Sequence, residues 1–397
     1  MRRLAALGLL TIVLATPVQA ASGPVITPFN GLDGVAPTAA PNCYSAKQVY
    51  TGKATCFGGT YMGGNANGGG YGTLYSIKPN GTSRTVLYSM DVLNGLTPSQ
   101  SPILLSDKHT LVYTTSQGGD AGSGVVGAFD LKTQQSTVLA SFTGPGGSTP
   151  QGAAIQVGDT LYGIAGQGGA NGYGVVWSLP VSGTGGIKVL HSFAGGASDV
   201  ATPFGQLTYN PADGLLYGMA FSQAADRMGG IFSVAPDGSN YTLRASMTPT
   251  TGGAPQMGAL TLSGGVMYGN AWMGGTKNLG TLFRFDPASN QVTALWNYTK
   301  KTGSHPYNSP AVSKSGKWIY SVTWQNGGKG QGRILAMSAD GQTYKILKTL
   351  DTATTGGQTS AGVSLSPNGK TLQTVMSSGG AYNVGTSIAL PIPADYR

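Results

Sequence analysis

The sequence predicts an all-β fold, a seven-bladed β-propeller with four antiparallel strands in each blade. Three observations predict it: a composition that disfavours helices, a repeat that occurs seven times, and an N-terminal segment that fits a gap in the last repeat. Of the 397 residues, 65 are Gly and 9% are charged, and all 14 acidic residues are Asp. Helical bundles and coiled coils are rich in Ala, Glu, Lys and Leu. The composition therefore excludes them, and the clustering of the glycines excludes collagen.

The repeat is marked by a glycine that directly precedes an apolar run in each copy. Successive marker glycines lie 50 to 55 residues apart. They are Gly72, Gly124, Gly174, Gly229, Gly280, Gly332 and Gly385. Seven copies at a period of about 50 residues are typical of a propeller or a solenoid.

Each copy contains four short apolar runs separated by turn residues. In the third copy the runs cover residues 152–157, 160–165, 174–179 and 187–193. Asn-Gly and Asp-Gly pairs, which favour tight hairpins, lie between the third and fourth runs of several copies. These pairs are Asn80-Gly81, Asp237-Gly238 and Asp340-Gly341. Four hairpin-connected strands in each repeat indicate a propeller blade.

The two ends of the chain distinguish a closed ring from an open solenoid. The seventh copy runs from about Gly356 to Leu390 and lacks a fourth strand. Residues 25–29 match residues 189–193, the fourth run of copy three, position by position. We therefore expect this N-terminal strand to complete the last blade, which removes two exposed sheet edges. Residues 21–397 are then a single propeller domain.

Residues 1–20 have the features of a secretory signal peptide. Arg2 and Arg3 precede an apolar stretch, residues 4–14, which is too short to span a bilayer. Val18-Gln19-Ala20 supplies small residues for cleavage, and no Cys stands at that point, so we expect no lipid anchor. No later segment approaches 18 apolar residues. The sequence predicts a secreted or periplasmic protein without a membrane span, which we expect to be a monomer.

The two cysteines, Cys43 and Cys56, are 13 residues apart. In an exported protein a close pair of this kind indicates a disulfide. Two buried thiols or a metal site are the alternatives, although two cysteines without a nearby His make a poor zinc site. Cys43 falls in the first run of copy one and Cys56 opens the second. We expect a disulfide within the first blade, no metal and no cofactor.

A glycine-rich motif recurs at the start of the third run. It reads Gly-Gly-x-Asn-Gly-x-Gly, followed by a Thr or Val, an apolar residue and an aromatic, and it leads into a Pro-(Asp/Asn)-Gly turn. It appears at residues 63–81, 168–179 and 229–238. Copies two and six depart from it, with Gly127 and Leu335 in place of the aromatic.

This motif resembles the bacterial choice-of-anchor tandem repeat proteins of the GloVer type, and the resemblance covers nearly the whole chain. It implies a β-propeller-like, exported protein, and it supplies no catalytic residues. Some members carry a C-terminal sorting anchor. We expect none here, because the sequence ends in Ala394-Asp395-Tyr396-Arg397.

The charge balance favours acidic partners. The formal net charge is +9, and it falls to +7 when Arg2 and Arg3 are removed with the signal peptide. An excess of this sign suits an anionic polysaccharide, another cell-surface polymer or a membrane surface, although it also serves solubility alone. The basic residues are scattered, with no run longer than Lys300-Lys301. We therefore expect no nucleic-acid partner.

Candidate binding residues lie where the second run of each copy ends. An aromatic recurs there four positions after the aromatic inside the run, whereas Gln117, Gly166 and Met376 stand in the remaining copies. The recurring aromatics are Tyr61, Phe221, Trp272 and Trp324. Aromatics at a channel mouth suit stacking on sugar rings, and packing between blades is the alternative. Asp199 and Asp226, on loops near the same end, are further candidate binding residues.

Candidate catalytic residues are few. His305 stands where the other copies have Thr or Ala before Pro, and Tyr307 and Lys301 lie close to it in sequence. These three could supply the base and the cation of a polysaccharide lyase. Asp199 with Asp226 would be the carboxylate pair of a glycoside hydrolase. The favoured interpretation is a non-catalytic propeller that binds a glycan or protein ligand at its channel face, and the alternative is a lyase acting on an acidic polysaccharide.

Overall fold

Each copy of the repeat forms one four-stranded antiparallel sheet, and seven such sheets form a ring. The computed structural model describes residues 23–64, 70–196, 198–222, 228–327 and 331–397. The predicted signal peptide, residues 1–20, and Asp226 lie outside these ranges. The first strands of neighbouring blades contact each other around the centre of the ring. This architecture confirms the predicted seven-bladed propeller.

The strands follow the repeat from blade to blade. The chain begins with β1 (Val25–Pro28). Blade one contains β2 (Asn42–Tyr44), β3 (Thr55–Thr60), β4 (Thr73–Ile77) and β5 (Thr85–Ser89). Blade two contains β6 (Ile103–Leu104), β7 (Thr110–Thr115), β8 (Val125–Asp130) and β9 (Gln135–Ser141). Blade three contains β10 (Ile155–Val157), β11 (Thr160–Ala165), β12 (Val175–Pro180) and β13 (Lys188–Ser192).

The second half of the ring repeats this order. Blade four contains β14 (Thr208–Asn210), β15 (Leu215–Ala220), β16 (Gly230–Val234) and β17 (Thr242–Ser246). Blade five contains β18 (Thr261–Ser263), β19 (Val266–Ala271), β20 (Thr281–Asp286) and β21 (Gln291–Asn297). Blade six contains β22 (Ala311–Val312), β23 (Trp318–Val322), β24 (Arg333–Ser338) and β25 (Tyr344–Thr349). Blade seven contains β26 (Ser364–Leu365), β27 (Thr371–Met376) and β28 (Thr386–Pro391), and its fourth strand is β1.

The N-terminal strand closes the ring, as the sequence predicts. β1 pairs with β28 in antiparallel register, from Val25 opposite Ala389 to Pro28 opposite Thr386. A 3-10 turn, Ala394–Tyr396, follows β28. Among the residues that the structure covers, there is no helix with the length and apolarity needed to cross a membrane.

A buried arginine that sequence analysis did not single out holds this closure. The side chain of Arg84, 4% exposed, donates from Nε to Asp33 Oδ2 at 3.0 Å and from Nη1 to the carbonyl oxygen of Thr27 at 3.2 Å. It also donates to Ser387 Oγ at 3.2 Å, and its guanidinium carbon lies 3.7 Å from the ring centre of Phe29. One side chain therefore joins the first blade to both closing strands.

Most of the marker glycines are explained by contact between blades. Gly72 has φ +109°, and a Cβ there would lie 2.8 Å from Cδ of Pro98, which belongs to the next blade. Gly385 has φ +111°, and a Cβ there would lie 2.8 Å from Cδ of Pro37. A left-handed backbone and the proline above it leave room for glycine alone. The same proline contact occurs at Gly124, Gly174 and Gly280, so it accounts for five of the seven marker glycines. At Gly229 and Gly332 an added Cβ would instead meet a backbone oxygen of the same blade.

Copy two departs from the motif because its aromatic and its glycine have exchanged strands. In blades one and three an aromatic on the third strand covers a glycine on the second strand, as Tyr75 covers Gly58 and Trp177 covers Gly163. Blade two has the reverse arrangement, with Tyr113 on β7 covering Gly127 on β8. Each pair supplies one large ring and one empty position, so the packed volume is conserved.

The predicted disulfide is present. Cys43 on β2 and Cys56 on β3 lie directly opposite each other and are bonded. The described residues contain no free cysteine. The bond joins the innermost two strands of blade one, beside the point where the ring closes.

Candidate functional site

The loops of the propeller fall on two faces. Because the strands of each blade are antiparallel, the loops between second and third strands lie at the same edge as the connections between blades. We call this edge the channel face. The loops between first and second strands and between third and fourth strands lie at the opposite edge, which we call the far face. The binding and catalytic candidates proposed from sequence that lie within the described ranges belong to the channel face.

The central channel is too tight to hold a ligand. The cavity at its centre has a volume of about 80 Å³ and is lined by six blades, with Asn42 and Asn308 among its residues. Gln100 Nε2 reaches across the ring to the carbonyl oxygen of Met257 at 3.4 Å. A Cβ added at Gly152 would lie 1.9 Å from a carbonyl oxygen of the next blade. A ligand must therefore bind on a face of the ring, because so small a space holds a few waters at most.

The strand register corrects the alignment of the recurring aromatics. Val112 in blade two and Gln373 in blade seven are the equivalents of Phe57 in blade one. Each of the three lies on the second strand of its blade, opposite the equivalent residue of the first strand. The alignment made from sequence is one residue out of register in these two copies, and it therefore gives Gln117 and Met376 as the equivalents of the recurring aromatic. The equivalent residues are Tyr61, Ser116, Gly166, Phe221, Trp272, Trp324 and Ser377. Four copies still carry an aromatic, and all four side chains are half-buried.

Two of these aromatics meet around His305. The rings of Trp272 and His305 are stacked, with centres 4.5 Å apart and an interplanar angle of 25°. Trp272 and Trp324 have ring centres 6.4 Å apart. We call Trp272, His305 and Trp324 the ring cluster. It spans blades five and six, whereas Phe221 contacts Phe204 in blade four and Tyr61 lies in blade one.

A neighbouring backbone carbonyl group determines which ring nitrogen of His305 carries the hydrogen. His305 has φ +54°, and its N–H donates to the carbonyl oxygen of Leu279 at 2.8 Å. Its Nδ1 lies 2.9 Å from the carbonyl oxygen of Trp272, which can only accept, so Nδ1 carries the hydrogen. Nε2 is then the nitrogen that can accept a proton or a hydrogen bond, and it has no partner among the described residues.

The left-handed conformation of His305 recurs at the equivalent position of every blade. The seven residues are Ala36, Thr97, Thr149, Thr202, Ala254, His305 and Gln358, with φ between 44° and 58°. Gln358 precedes Thr359, so copy seven departs from the Thr or Ala before Pro that sequence analysis gave for the other copies. Non-glycine residues rarely adopt this conformation, although His does so more readily than most. The conformation is therefore a feature of the connection between blades. Only the side chain at position 305 brings an imidazole to it.

Three lysines line a pocket beside the ring cluster. The pocket has a volume of about 560 Å³ and is formed by Lys277, Leu279 and residues 299–301. Lys277, Lys300 and Lys301 are exposed, and no Asp lines the pocket among the residues that the structure describes. We call it the lysine pocket. Leu279 joins it to the ring cluster, because its carbonyl oxygen accepts the His305 N–H.

The structure brings some of the candidate catalytic residues to one region without joining them. Lys301 lies in the lysine pocket and His305 in the adjacent ring cluster. Tyr307 is half-buried, and burial raises the pKa of its hydroxyl, which disfavours a tyrosinate base. No hydrogen bond among the described residues connects His305, Tyr307 and Lys301. Their catalytic roles stay predictions.

Asp199 is an internal anion in the structure. It is 7% exposed and accepts hydrogen bonds from His191 Nε2 at 3.1 Å and from the N–H groups of Ala194 and Val200, both at 2.7 Å. The Tyr241 hydroxyl donates to its other oxygen, and the His191 and Tyr241 rings stack at 3.5 Å. The cluster ties the outer strands of blades three and four together. A role for Asp199 in ligand binding stays a prediction, as does that of Asp226, which lies outside the described residues.

Replacing Asp199 by Asn is expected to lower the free energy of unfolding by about 1–3 kcal/mol near neutral pH, because hydrogen bonds to a charged acceptor are lost. Desolvation acts to raise the pKa of Asp199, but the hydrogen bonds from His191 and Tyr241 outweigh it and hold the pKa below its ordinary value. The carboxylate therefore stabilises the fold fully above the unfolded pKa of about 3.9, and this contribution is lost as pH falls through the folded pKa.

Urea unfolding at several pH values measures this difference. The gap between wild type and D199N should be largest near neutral pH and should shrink below about pH 4. Asp237→Asn is the control, because Asp237 is exposed in a hairpin turn. A gap that stays constant across this range would contradict the assignment of Asp199 as a stabilising anion.

Comparison with solved structures supports the fold. The chain is similar to an oligogalacturonate lyase in complex with manganese, with a TM-score of 0.58 and 11% identity over 91% of this chain and 92% of that one. It is similar to an oligogalacturonate lyase from Vibrio parahaemolyticus, with a TM-score of 0.58 and 12% identity over 94% of both chains. A putative 6-phosphogluconolactonase from Bacteroides uniformis gives a TM-score of 0.52 and 16% identity over 78% of this chain and 85% of that one. At these identities the likeness shows the fold alone.

The described residues do not fit a manganese site. Within the ranges covered by the structure, no three His, Cys, Asp or Glu side chains are grouped so that they could hold a metal ion. His109, His191 and His305 lie in or beside three different blades. We therefore derive no metal-dependent step for this protein.

Comparison with known families identifies the repeat. No curated protein matches the chain. The Gloeobacter/Verrucomicrobia repeat family matches residues 11–177 and 159–388, which together cover almost the whole sequence. This match confirms the resemblance carried by the glycine-rich motif. The chain belongs to the Gloeobacter/Verrucomicrobia repeat family.

Proposed function

We propose that this protein is an exported, non-catalytic propeller that binds an acidic glycan on its channel face, at blades five and six. The observation that carries the proposal is the contact between the ring cluster and the lysine pocket. Aromatic faces suit the C–H faces of sugar rings, and ammonium groups suit carboxylates. The two features together match a saccharide that carries negative charge.

The closed channel supports a surface site rather than a buried one. A polymer can lie across a face without threading the ring, and its successive sugars can meet the rings and the lysines in turn. The absence of a lining Asp in the lysine pocket leaves its positive potential uncompensated within the pocket. The disulfide Cys43–Cys56 supports a location outside the cytoplasm, where such bonds persist.

A lyase acting on an acidic polysaccharide is the second candidate. The observation that favours it is the free Nε2 of His305 beside the lysine pocket. In such a reaction His305 Nε2 would take the proton from C5 of a uronate, a C4=C5 double bond would form as the C4–O bond breaks, and the leaving oxygen would take a proton from water. The fold is shared with oligogalacturonate lyases, but at 11% and 12% identity this shared fold assigns no activity.

One experiment separates the two functions. Acidic and neutral polysaccharides are incubated with the purified protein, and their chain lengths, unsaturated products and retention by the protein are measured. Binding predicts that an acidic polymer is retained at full length and that neutral polymers are not. If the protein shortens the chains and leaves unsaturated ends, and if His305→Gln abolishes this activity, the protein is a lyase and not a non-catalytic binding protein. Acidic polymers that are neither retained nor shortened would refute both.

A further inference from the structure

A large cavity among the described residues lies on the far face, away from the proposed channel-face site. It has a volume of about 620 Å³, within the usual range for ligand pockets of about 300–1,000 Å³. It lies between blades one and seven, and its walls are the β2–β3 and β4–β5 loops of blade one and the β26–β27 loop of blade seven. We call it the closure cavity, because these blades meet where the ring closes.

Two asparagines, Asn80 and Asn368, line this cavity and have their side-chain oxygens occupied by hydrogen bonds. Asn80 Oδ1 accepts from the Thr82 N–H at 3.2 Å and from the Thr82 hydroxyl at 2.8 Å. Asn368 Oδ1 accepts from the Lys370 N–H at 3.0 Å and from Ser366 Oγ at 2.8 Å. Each side-chain oxygen is therefore engaged in its own turn. The two Nδ2 groups remain, and neither has a partner among the described residues.

The charges of the closure cavity have one sign. Lys53 and Lys78 line it, no Asp does, and neither lysine forms an ion pair within the part of the chain described. The hydroxyls of Ser83 and Thr371 also line it without hydrogen bonds to described residues. Amide and ammonium groups can only donate, whereas the hydroxyls can donate and accept. The cavity therefore suits a ligand that is rich in hydrogen-bond acceptors and carries negative charge.

The corresponding region of blade six shows that this arrangement is particular to the closure cavity. A cavity of about 400 Å³ lies between the far-face hairpins of blade six. Asp340 lines it, and Asp340 occupies the position in its hairpin that Asn80 occupies in blade one. One far-face cavity thus contains a carboxylate where the other presents an amide donor. The blade-six cavity contains Asp340 together with Lys317, whereas the charged groups that line the closure cavity are lysines.

We propose that the closure cavity is a second binding site, for an anionic saccharide. Its carboxylate or sulfate group is held by the lysines and the asparagine Nδ2 groups, and its hydroxyls bond to those of Ser83 and Thr371. The ligand class matches that of the proposed function, but the evidence for the two sites is separate. Because the lysine pocket and the closure cavity lie on opposite faces, one molecule can bind two polymer chains at once.

The double variant Asn80→Asp/Asn368→Asp tests the site with little change of shape. It keeps the oxygens that form the turns and converts both donors into carboxylate oxygens. The fold accepts this change, because Asp340 and Asp107 occupy the equivalent turns of blades six and two and accept backbone N–H groups there. Asn240→Asp/Asn290→Asp is the matched control, since it adds two negative charges at exposed turns of blades four and five.

Binding is measured by calorimetry in the background Lys277→Gln/Lys300→Gln/Lys301→Gln, which weakens the lysine pocket. The probes are tri-galacturonate, a sulfated chondroitin disaccharide and neutral maltotriose. We expect this background to bind at least one of the anionic probes, N80D/N368D to weaken that binding at least tenfold, and N240D/N290D to leave it unchanged. The two anionic probes distinguish a carboxylate from a sulfate as the group recognised.

The outcomes separate this site from the channel-face site. Anionic binding that is lost in the lysine background alone would overturn the closure cavity as a site and leave the proposed function standing. Binding that survives the lysine substitutions and is lost with N80D/N368D would support the closure cavity as a site, whether or not the channel face also binds a ligand. Equal affinity in N80D/N368D and its control, or equal binding of maltotriose, would overturn the inference.

Discussion

Arg84→Met should lower the free energy of unfolding by about 3–5 kcal/mol, the usual cost of removing one partner from a buried ion pair. The side chain is 4% exposed, and its guanidinium donates to Asp33, to two carbonyl oxygens of the β1 segment and to Ser387 on β28. Met keeps the apolar stem but leaves these acceptors without a donor. The loss falls on the closure, so β1 should separate from β28 first.

Urea unfolding measures the global effect, and hydrogen exchange of the β1 amides measures the local one. Arg284→Met is the matched control, because Arg284 forms an exposed ion pair with Asp286 at 3.2 Å, for which we expect less than about 1 kcal/mol. Asp33→Asn in the Arg84→Met background should recover part of the loss, since it removes the unpaired carboxylate. Equal unfolding midpoints for Arg84→Met and Arg284→Met would show that the closure does not depend on this side chain.

The variant Lys277→Gln/Lys300→Gln/Lys301→Gln should weaken binding of an acidic oligosaccharide to the channel face by about tenfold or more. Each exposed ion pair contributes about 0.2–1 kcal/mol, and three of them together reach the 1.4 kcal/mol that corresponds to tenfold in affinity. The pocket lacks a lining Asp, so removing its lysines removes the attraction without releasing a competing charge. Wild-type affinity should also fall as salt is raised, because exposed charges are screened.

The closure cavity has to be disabled with N80D/N368D in both proteins so that the measurement reports the channel face. Lys47→Gln/Lys108→Gln/Lys345→Gln is the matched control, because it removes three exposed lysines that line neither the lysine pocket nor the closure cavity and leaves the same net charge. The control should bind as the wild type does. If both triple variants lose affinity equally, the interaction follows net charge alone and the lysine pocket is not the site.

The ring cluster and the lysine pocket were only partly predictable. Sequence analysis named Trp272, Trp324, His305 and Lys301 separately, from the repeat and from one substitution before a proline. It could not show that the His305 ring stacks on Trp272, because that contact joins two blades through positions 33 residues apart. Nor could it show that Lys277 and Lys301 line the same pocket, because a loop within blade five folds beside the connection to blade six.

The sequence could not show whether the Asp199 carboxylate faces solvent or packs against a neighbouring blade. Its position between blades three and four was visible in the sequence, but its hydrogen bonds to His191 and Tyr241 were not. Turn composition is the same for a carboxylate that faces solvent and for one that faces a neighbouring blade. Only the packing of the two outer strands distinguishes them.

The sequence by itself determined the number of blades, the four strands of each, the closure by β1 and the disulfide partners. These follow from local turn chemistry and a strict period, and each copy repeats the same signal. The tertiary structure alone decided which side chains meet across blades: Arg84 with Ser387, 303 residues away, and Asn80 with Asn368 in one cavity. The physical reason is that the repeat specifies backbone hydrogen bonds within a blade, whereas sites form between blades, from the side chains that the repeat leaves free to vary.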